Sequence, residues 1–237
     1  MQTDYDDYID THLGHVHKDD YEVMARYFDK NYSKLIKSKD DRILDVGCGM
    51  GHFLYYLKKF GYHNTTGIDL SPACIDDCLA KGFGTQANLH VADMMAFLAE
   101  KETSFDLIVM NDVIEHLQKE EIVKSLQVAR EALAEGGRLV VKVVNSANPI
   151  TGAASRYVDF THTVGFTEES LAQVLRMAGF VALEMSAQDI WVFNPLVNFI
   201  GKSGQWLFNN LFRILTLLYG RKTTKIFTKD MIAVAYR

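Results

Sequence analysis

The apolar residues of this chain fall into short runs that alternate with segments of helical periodicity. Apolar runs of strand length occupy 42–46, 64–69, 88–92, 105–111 and 138–145, and helical spacing fills 52–60, 72–81, 94–100 and 114–134 between them. Gly136 and Gly137 are expected to end the last of these helices. Short buried strands that alternate with helices predict parallel pairing and a doubly wound α/β sheet.

Both flanks of this alternating region add further elements. We expect a helix over 19–35, a helix over 167–178 with Thr167 as its N-cap, and strands over 181–185 and 231–236. About forty residues separate the last two strands, where a sheet of this kind normally has a short connection. The long connection is therefore an insertion that needs its own explanation.

The insertion contains an unusually apolar run, QWLFNNLFRILTLLYG at 205–220. Its polar residues recur at helical spacing on one narrow stripe, and the run is shorter than the about twenty apolar residues that cross a bilayer. Either this helix covers the sheet or joins two copies as a homodimer through 196–220, or it lies on the inner face of a membrane. The aromatic and basic composition that favours the membrane comes from Trp206, Phe208, Phe212, Lys202, Arg221, Lys222 and Lys225.

Charge is distributed unevenly along the chain. The formal net charge is −5, yet residues 201–237 carry seven Lys or Arg against one acid, so residues 1–200 have a net charge of −11. An acidic body predicts no nucleic-acid partner. The three cysteines are too few for a disulfide framework, and no apolar leader follows the acidic start, so we expect a reduced, cytoplasmic protein.

Three glycines in five positions follow the first strand, in ILDVGCGMGHF at 43–53. Such a loop presents backbone N–H groups at the start of a helix, where an anionic or carboxylate-bearing ligand is favoured. A dinucleotide loop that begins at Gly47 would have its third glycine at position 52, which is His52. A phosphate loop needs Gly-Lys-Ser/Thr, and no lysine follows these glycines before Lys58. Both of these nucleotide readings are therefore disfavoured.

Two acids lie at the ends of the next two strands. Asp69 ends the second strand in GIDLS, where its carboxylate can accept hydrogen bonds from both ribose hydroxyls. Asp93 ends the third strand in VADMM, where it can accept a hydrogen bond from the exocyclic amine of adenine. A glycine loop, a diol-binding acid and a base-reading acid indicate an adenosine without a pyrophosphate, and S-adenosylmethionine is the obvious candidate.

Five motifs in order, ILDVGCGMG, GIDLS, VADM, FDLIVMNDVIEHL and LAEGGRLVVKV, resemble those of the class I, Rossmann-like S-adenosylmethionine-dependent methyltransferases of the small-molecule branch. The resemblance covers residues 40–185 and implies a seven-stranded, mostly parallel sheet with an antiparallel last strand and a helical insertion before it. We accordingly predict one methyltransferase domain over 1–237. Its parts are an N-terminal helical lid at 1–39, a cofactor-binding core at 40–190, the apolar insertion at 191–228 and the last strand at 229–237.

The same resemblance implies a role for each motif residue. The glycine loop would hold the amino-acid part of the cofactor, the end of the second strand its ribose, the end of the third its adenine, and Asn111 would lie beneath the sulfonium. The implied cofactor-binding residues are Asp45, Gly47, Cys48, Gly49, Gly51, Asp69, Leu70, Asp93, Met94 and Asn111.

Two histidines follow the fourth and fifth strands, where an acceptor would meet the cofactor. His162 lies in RYVDFTHTVGFT, and Asp159 three residues earlier could orient its imidazole and raise its basicity, so both are acid/base candidates. A role in fastening the loop is the alternative. His116 either shapes the cofactor pocket or takes part in catalysis, and we predict no metal among the site residues.

The acceptor is expected to be a small molecule. Residues 111–114 lack the Asn/Asp-Pro-Pro-aromatic motif of enzymes that methylate adenine in DNA or glutamine side chains. The stretch RYVDFTHTVGFTEESL at 156–171 resembles methyltransferases of bacterial surface-polysaccharide and metabolite pathways, which favours O-methylation of a sugar or sugar-linked intermediate. The alternatives are a lipid-borne or quinone-like acceptor at the membrane and a non-catalytic scaffold subunit. The intact acids Asp45, Asp69 and Asp93 disfavour the scaffold.

The N-terminal segment contains a His-x-x-His-x-His arrangement formed by His12, His15 and His17. Its spacing can ligate a metal ion, but no cysteine or Glu-x-x-His pattern supports this. A solvated lid over the cofactor, closed by stacking of Tyr5 and Tyr8, is the preferred interpretation.

Overall fold

The structure is a computed structural model that describes residues 20–99, 104–188, 194–220 and 225–237. The histidines and tyrosines of the predicted lid, at 5–17, lie outside the described residues, and so do Arg221 and Lys222.

The sheet has seven strands in the order β3-β2-β1-β4-β5-β7-β6. All neighbouring pairs are parallel except those of β7, which runs antiparallel to both β5 and β6. The predicted doubly wound sheet with an antiparallel last strand is thus confirmed. The strands are β1 Ile43–Val46, β2 Thr65–Asp69, β3 Leu89–Val91, β4 Phe105–Asn111, β5 Leu133–Val144, β6 Ala182–Ala187 and β7 Asp230–Tyr236.

Helices cover both faces of this sheet because alternate strand residues point to opposite sides. In β4, Ile108 and Met110 belong to the apolar cluster beneath α4, α5 and α7, whereas Leu107 and Val109 pack with α1 and α2. The result is a three-layer α/β/α domain with a core on each face. The helices are α1 Tyr21–Tyr32, α2 His52–Lys59, α3 Pro72–Ala80, α4 Met94–Ala99, α5 Lys119–Ala132, α6 Gly152–Tyr157, α7 Glu168–Met177 and α8 Pro195–Leu218.

The helix predicted over 114–134 was wrong at both of its ends. Asp112 has a φ of 55°, so the chain turns after β4, and α5 begins only at Lys119. There the Glu121 side chain accepts a hydrogen bond from the backbone N–H of Gln118 (3.2 Å). The apolar residue Ile114, at which the predicted helix began, is buried beneath this turn and is not helical. At the other end, Gly136 lies within β5 and does not terminate the helix.

A second correction concerns the segment after β5, which the sequence left without regular structure. Residues 152–157 form the short helix α6, so that Arg156 and Tyr157 are helical. The Asn148 carboxamide oxygen precedes this helix and accepts hydrogen bonds from the backbone N–H groups of Ile150 and Thr151, both at 2.8 Å. A helix of six residues is too short to show a period of 3.6 in the sequence.

The insertion contains helix α8, whose 24 residues begin well before the apolar run at 205–220. Asn194 caps its start by accepting hydrogen bonds from the backbone N–H groups of Leu196 and Val197, and Pro195 occupies the first turn. None of its residues is buried. The alternative in which it covers the sheet is therefore wrong. Within the described part of the chain, no helix combines the length and the apolarity that crossing a bilayer requires.

The polar stripe of α8, and not its apolar face, is directed toward the protein. Six of the eight half-buried positions of α8, 198, 202, 205, 209, 212 and 216, follow a spacing of three and four residues, and five of these six residues are polar. The opposite face is apolar and exposed, with Leu207 61% and Leu218 78% accessible. This is the reverse of a helix that packs on its own domain.

Candidate active site

A cavity of about 920 Å³ opens at the carboxyl ends of β1, β2 and β4. This is the edge at which doubly wound sheets bind ligands, because the loops that follow parallel strands converge there. All predicted site residues except Gly51 line it: Asp45, Gly47, Cys48, Gly49, Asp69, Leu70, Asp93, Met94, Asn111, His116, Asp159 and His162.

The glycine loop needs glycine for two different reasons. Gly51 is the N-cap of α2 with φ of 76°, and a Cβ there would lie 2.7 Å from both the Cys78 sulfur and the Phe83 ring. Gly49, with φ of 49°, has no heavy atom within 4 Å of the position of a Cβ, and it lines the cavity. Glycine is therefore needed at position 51 because the loop packs closely against Cys78 and Phe83. At position 49 it leaves the backbone accessible from the cavity.

Asp69 fastens this loop to the end of β2. One carboxylate oxygen accepts a hydrogen bond from the Gly49 N–H (2.8 Å), and the other accepts one from the Ser71 N–H (2.9 Å). Burial raises the pKa of the Asp69 carboxyl, and these backbone N–H groups oppose that rise. Since each carboxylate oxygen can accept two hydrogen bonds, Asp69 retains the capacity to bind a ribose diol.

Asp45 is a buried carboxyl group in the cavity wall, with only 2% of its surface accessible. Its Oδ2 has no hydrogen-bond partner among the described residues. Burial, together with the nearby Asp69, raises the pKa of the Asp45 carboxyl well above its usual range. An uncompensated carboxyl group is costly to bury, and the α-ammonium of S-adenosylmethionine would compensate it. The site therefore fits the predicted cofactor.

Cofactor binding should release a proton from Asp45. The carboxyl is protonated in the free protein up to its raised pKa, and an ammonium partner lowers that pKa. We expect the affinity for S-adenosylhomocysteine to rise with pH through this range, and Asp45→Asn to abolish the dependence. Calorimetry in buffers of different ionisation enthalpy measures the released proton. Equal proton release by wild type and variant would assign it to another group.

The adenine-binding prediction rests on Asp93 and its neighbours. Asp93 Oδ1 accepts a hydrogen bond from the Ala96 N–H (3.0 Å), so this acid caps α4 as well as lining the cavity. Met94 is buried beside it, and Leu70 is 44% exposed at the end of β2. A contact between Asp93 and adenine stays a prediction.

Asn111 is oriented by a residue that the sequence did not single out. The Tyr32 hydroxyl of α1 donates a hydrogen bond to Asn111 Oδ1, and Asn111 Nδ2 has no partner in the described part of the chain. Because Oδ1 accepts from Tyr32, the Asn111 side chain directs its Nδ2 hydrogens away from Tyr32. These N–H groups could donate to a ligand at the end of β4. Tyr32 occurs in the predicted apolar face of the first helix, so its sequence context indicated a core residue only.

Sequence analysis also missed a group of charges on the cavity wall. Lys142 donates a hydrogen bond to Asp112, and both line the cavity with Asp230. Burial alone would lower the pKa of Lys142, but Asp112, Tyr27 and Asp230 raise it, so the ammonium stays charged. The signal was a lysine inside the otherwise apolar strand run LVVKVV.

The structure brings the three candidate catalytic residues together across 46 positions of sequence. His116 and His162 have ring centroids 4.7 Å apart. Asp159 is buried, and its Oδ1 accepts hydrogen bonds from the Thr161 backbone N–H (2.8 Å) and hydroxyl (2.7 Å). The ligand atoms of all three lie within 4.8 Å of one another. The acid/base group and His116 are therefore one cluster at the cavity wall.

Comparison with known families and structures places the chain among methyltransferases. A family model described as a methyltransferase domain matches residues 17–185. A solved S-adenosylmethionine-dependent methyltransferase from Archaeoglobus fulgidus superposes with a TM-score of 0.66 at 19% identity, over 92% of this chain and 94% of that one. The N-methyltransferase NodS from Bradyrhizobium japonicum WM9, solved with S-adenosyl-L-homocysteine, gives a TM-score of 0.57 at 17% identity, over 91% and 85% of the two chains.

Sequence similarity to a curated protein covers a shorter part of the chain than these structural matches do. A protein from Xylella fastidiosa (strain 9a5c) named ubiquinone biosynthesis O-methyltransferase is 32% identical over 115 residues, which are 48% of this chain and 46% of that protein. The chain thus spans about half the length of this relative and of two others with the same name. The family match covers most of the chain, whereas the sequence similarity to this curated protein is confined to part of it.

Proposed function

Because the chain belongs to the family of Rossmann-like, S-adenosylmethionine-dependent methyltransferase domains, we propose that it methylates a hydroxyl oxygen of a small, lipid-borne acceptor. The observation that carries the lipid-borne acceptor is α8, whose polar stripe faces the protein and whose apolar face is exposed. The resemblance drawn from the five motifs supports the family, the enzymatic class and the cofactor.

Bound S-adenosylmethionine supplies a methyl group that is already activated on its sulfonium sulfur, so the protein chiefly binds and orients. Asp45 accepts a hydrogen bond from the cofactor ammonium, Asp69 binds the ribose and Asp93 the adenine. Transfer to an oxygen requires removal of the hydroxyl proton, which the cluster of His116, Asp159 and His162 in the same cavity can promote. The cluster therefore favours a hydroxyl acceptor.

The exposed face of α8 has the chemistry of a helix that lies on a lipid surface. Its outermost residues, at 196, 200, 207, 211, 214 and 218, are all leucine or isoleucine and all exposed. The C-terminal segment 201–237 has seven basic residues against one acid, which favours an anionic surface. A dimer formed through this helix would bring together two copies of the positively charged segment 201–237, which repel each other. A lipid surface is therefore preferred to a second copy.

Apolar residues are also exposed beside the cavity. Val158 lines the cavity and is 70% exposed, and Phe160 in the same segment is 99% exposed. Tyr157 and Ile150 add to this exposed apolar rim. An acceptor whose tail remains in a lipid surface would meet apolar residues at the entrance to the site.

The name of the relative from Xylella fastidiosa, ubiquinone biosynthesis O-methyltransferase, supports an O-methyltransferase with a quinone-like acceptor. The sugar or sugar-linked acceptor that residues 156–171 favour is compatible with the same surface when the sugar is attached to a lipid. A water-soluble sugar would leave α8 without a role.

The test combines vesicle binding with methyl transfer. We expect the protein to bind anionic vesicles, and Leu207→Glu/Leu211→Glu to weaken this binding at least about 10²-fold, since burial of each leucine contributes roughly 1.5–3 kcal/mol. Gln127→Glu/Gln173→Glu adds the same charge on exposed faces of α5 and α7 and should bind like wild type. Incubation with methyl-labelled cofactor and cell extract should label the lipid fraction.

Three outcomes would contradict the proposal. Label that enters only water-soluble sugars excludes the lipid-borne acceptor. A wild-type dimer that the Leu207→Glu/Leu211→Glu variant dissociates, without vesicle binding, assigns α8 to a second copy. Failure to bind S-adenosylhomocysteine excludes the transferase itself.

A further inference from the structure

The cluster of His116, Asp159 and His162 has the composition of a metal site. Two imidazoles and one carboxylate, each able to supply one ligand atom, lie with these atoms within 4.8 Å of one another. It is the one group of this kind in the described ranges, and it lines the cofactor cavity. We propose that these three residues bind one Zn²⁺ ion, which in turn binds the acceptor hydroxyl.

A hydrogen bond at Nδ1 of each ring determines which nitrogen is left to ligate an ion. The Thr161 hydroxyl donates its proton to Asp159 Oδ1, so its oxygen must accept a hydrogen bond from His116 Nδ1 (2.8 Å). His162 Nδ1 lies 3.3 Å from the Arg156 carbonyl oxygen, which can only accept. These partners assign an N–H to Nδ1 in both rings, so Nε2 is the nitrogen through which each histidine would ligate an ion.

This arrangement is typical of histidines that ligate metal ions. Such a histidine donates its other ring N–H to a carbonyl or carboxylate group, which fixes the tautomer and the orientation of the ring. Here the Arg156 carbonyl oxygen accepts from His162 Nδ1. The Thr161 hydroxyl accepts from His116 Nδ1 and donates to Asp159 Oδ1. Asp159 is itself held by two hydrogen bonds from Thr161. A single threonine therefore positions two of the three ligands.

The ligand set identifies the class of ion. Imidazole nitrogen favours first-row transition metals over Mg²⁺ and Ca²⁺, which prefer oxygen. Three protein ligands leave a fourth position open on Zn²⁺, as in catalytic zinc sites with two histidines and one carboxylate. Because methyl transfer involves no change of oxidation state, a metal without redox chemistry is sufficient.

The inference rests on the proposed function, because the fourth position is assigned to the acceptor hydroxyl. A hydroxyl bound to Zn²⁺ has a lowered pKa and loses its proton to water at neutral pH. Its oxygen then forms the bond to the methyl carbon while the carbon–sulfur bond breaks. The products are the methyl ether, S-adenosylhomocysteine and one proton.

The experiment measures metal binding directly on the untagged full chain. We expect one equivalent of Zn²⁺ by elemental analysis after dialysis, and the visible absorption of a four-coordinate site on titration with Co²⁺. His116→Ala and Asp159→Asn should each lower the Co²⁺ affinity at least about 10-fold, since loss of even an outer partner costs roughly 10–100-fold. Binding of S-adenosylhomocysteine, measured by calorimetry, shows that each variant is folded.

Two matched controls separate this site from other histidines. His63→Ala changes an exposed histidine, and a triple variant, His12→Ala/His15→Ala/His17→Ala, removes the N-terminal His-x-x-His-x-His arrangement. Both should retain the Zn²⁺ equivalent. Loss of metal in the triple variant alone, or equal affinity in wild type and the cluster variants, overturns the proposal.

The two proposals fail differently. A wild-type chain that binds S-adenosylhomocysteine and transfers methyl equally well after removal of metal by a chelator excludes the zinc site and leaves the transferase intact. A chain that binds Zn²⁺ at the cluster without binding S-adenosylhomocysteine upholds the metal site and excludes the proposed function.

Discussion

Replacement of Asp69 by asparagine should weaken binding of S-adenosylmethionine at least about 10²-fold. The carboxylate is proposed to accept hydrogen bonds from both ribose hydroxyls, and hydrogen bonds to a charged group contribute about 1.5–3 kcal/mol each. The variant also places an amide N–H₂ opposite the N–H of Gly49 or Ser71, which now donate to Asp69 at 2.8 and 2.9 Å. Loss of an acceptor therefore disturbs both the ligand contact and the loop.

Calorimetric titration with S-adenosylhomocysteine measures the effect. Asp76→Asn makes the same chemical change at an exposed position of α3 and should leave the dissociation constant unchanged. Adenosine, which retains the ribose, and homocysteine, which lacks it, separate the two contributions: only adenosine should lose affinity through the diol contact. Equal affinity of variant and wild type for adenosine would limit Asp69 to fastening the loop.

Gly51→Ala should destabilise the fold by about 2–5 kcal/mol. The residue has a φ of 76°, which costs an alanine about 1–2 kcal/mol. Its Cβ would also lie 2.7 Å from the Cys78 sulfur and the Phe83 ring, and an overpacked core costs roughly 1–3 kcal/mol. The added methyl would push against α3 and the chain that follows it, and so against the start of α2.

Urea unfolding followed by circular dichroism gives the free energy difference. Gly136→Ala is the matched control because Gly136 has a φ of 70° and no heavy atom within 4 Å of its Cβ position. The control should lose only the backbone contribution of about 1–2 kcal/mol. If the two variants lose the same stability, the packing around Cys78 and Phe83 accommodates a methyl group and the close approach has no energetic weight.

Much of the sheet could be predicted because its strands are short, apolar and separated by helices. The prediction was wrong at 114–134, where Ile114 continues an apolar pattern although it is buried under a turn and not on a helix. Sequence periodicity reports burial, and burial in a turn resembles burial on a helix over so few residues. The length of α8 was underestimated because Gly201 and Gly204 interrupt its first half, although Asn194 and Pro195 form a recognisable helix start.

The position of the candidate cofactor-binding residues was predictable where each residue lies at or just after the end of a strand. Asp45, Gly49, Asp69 and Asp93 all lie at the cavity, as expected from their positions at strand ends. The pairing of His116 with Asp159 could not be derived, because it depends on how two separate loops meet in space. The direction of the polar stripe of α8 could not be derived either. A helical pattern shows which residues share a face, but it does not show what that face contacts.

The insertion also separates the surface that α8 presents from the fold of the sheet. The β6–β7 pair is held by its own ladder, and closing a flexible loop costs only about 0.6 kcal/mol more for each doubling of its length. α8 sits wholly within this connection and contributes no buried residue to the domain. Under the proposed function, in which α8 directs the domain to a surface, a different segment between the same two strands would direct an unchanged domain to a different surface.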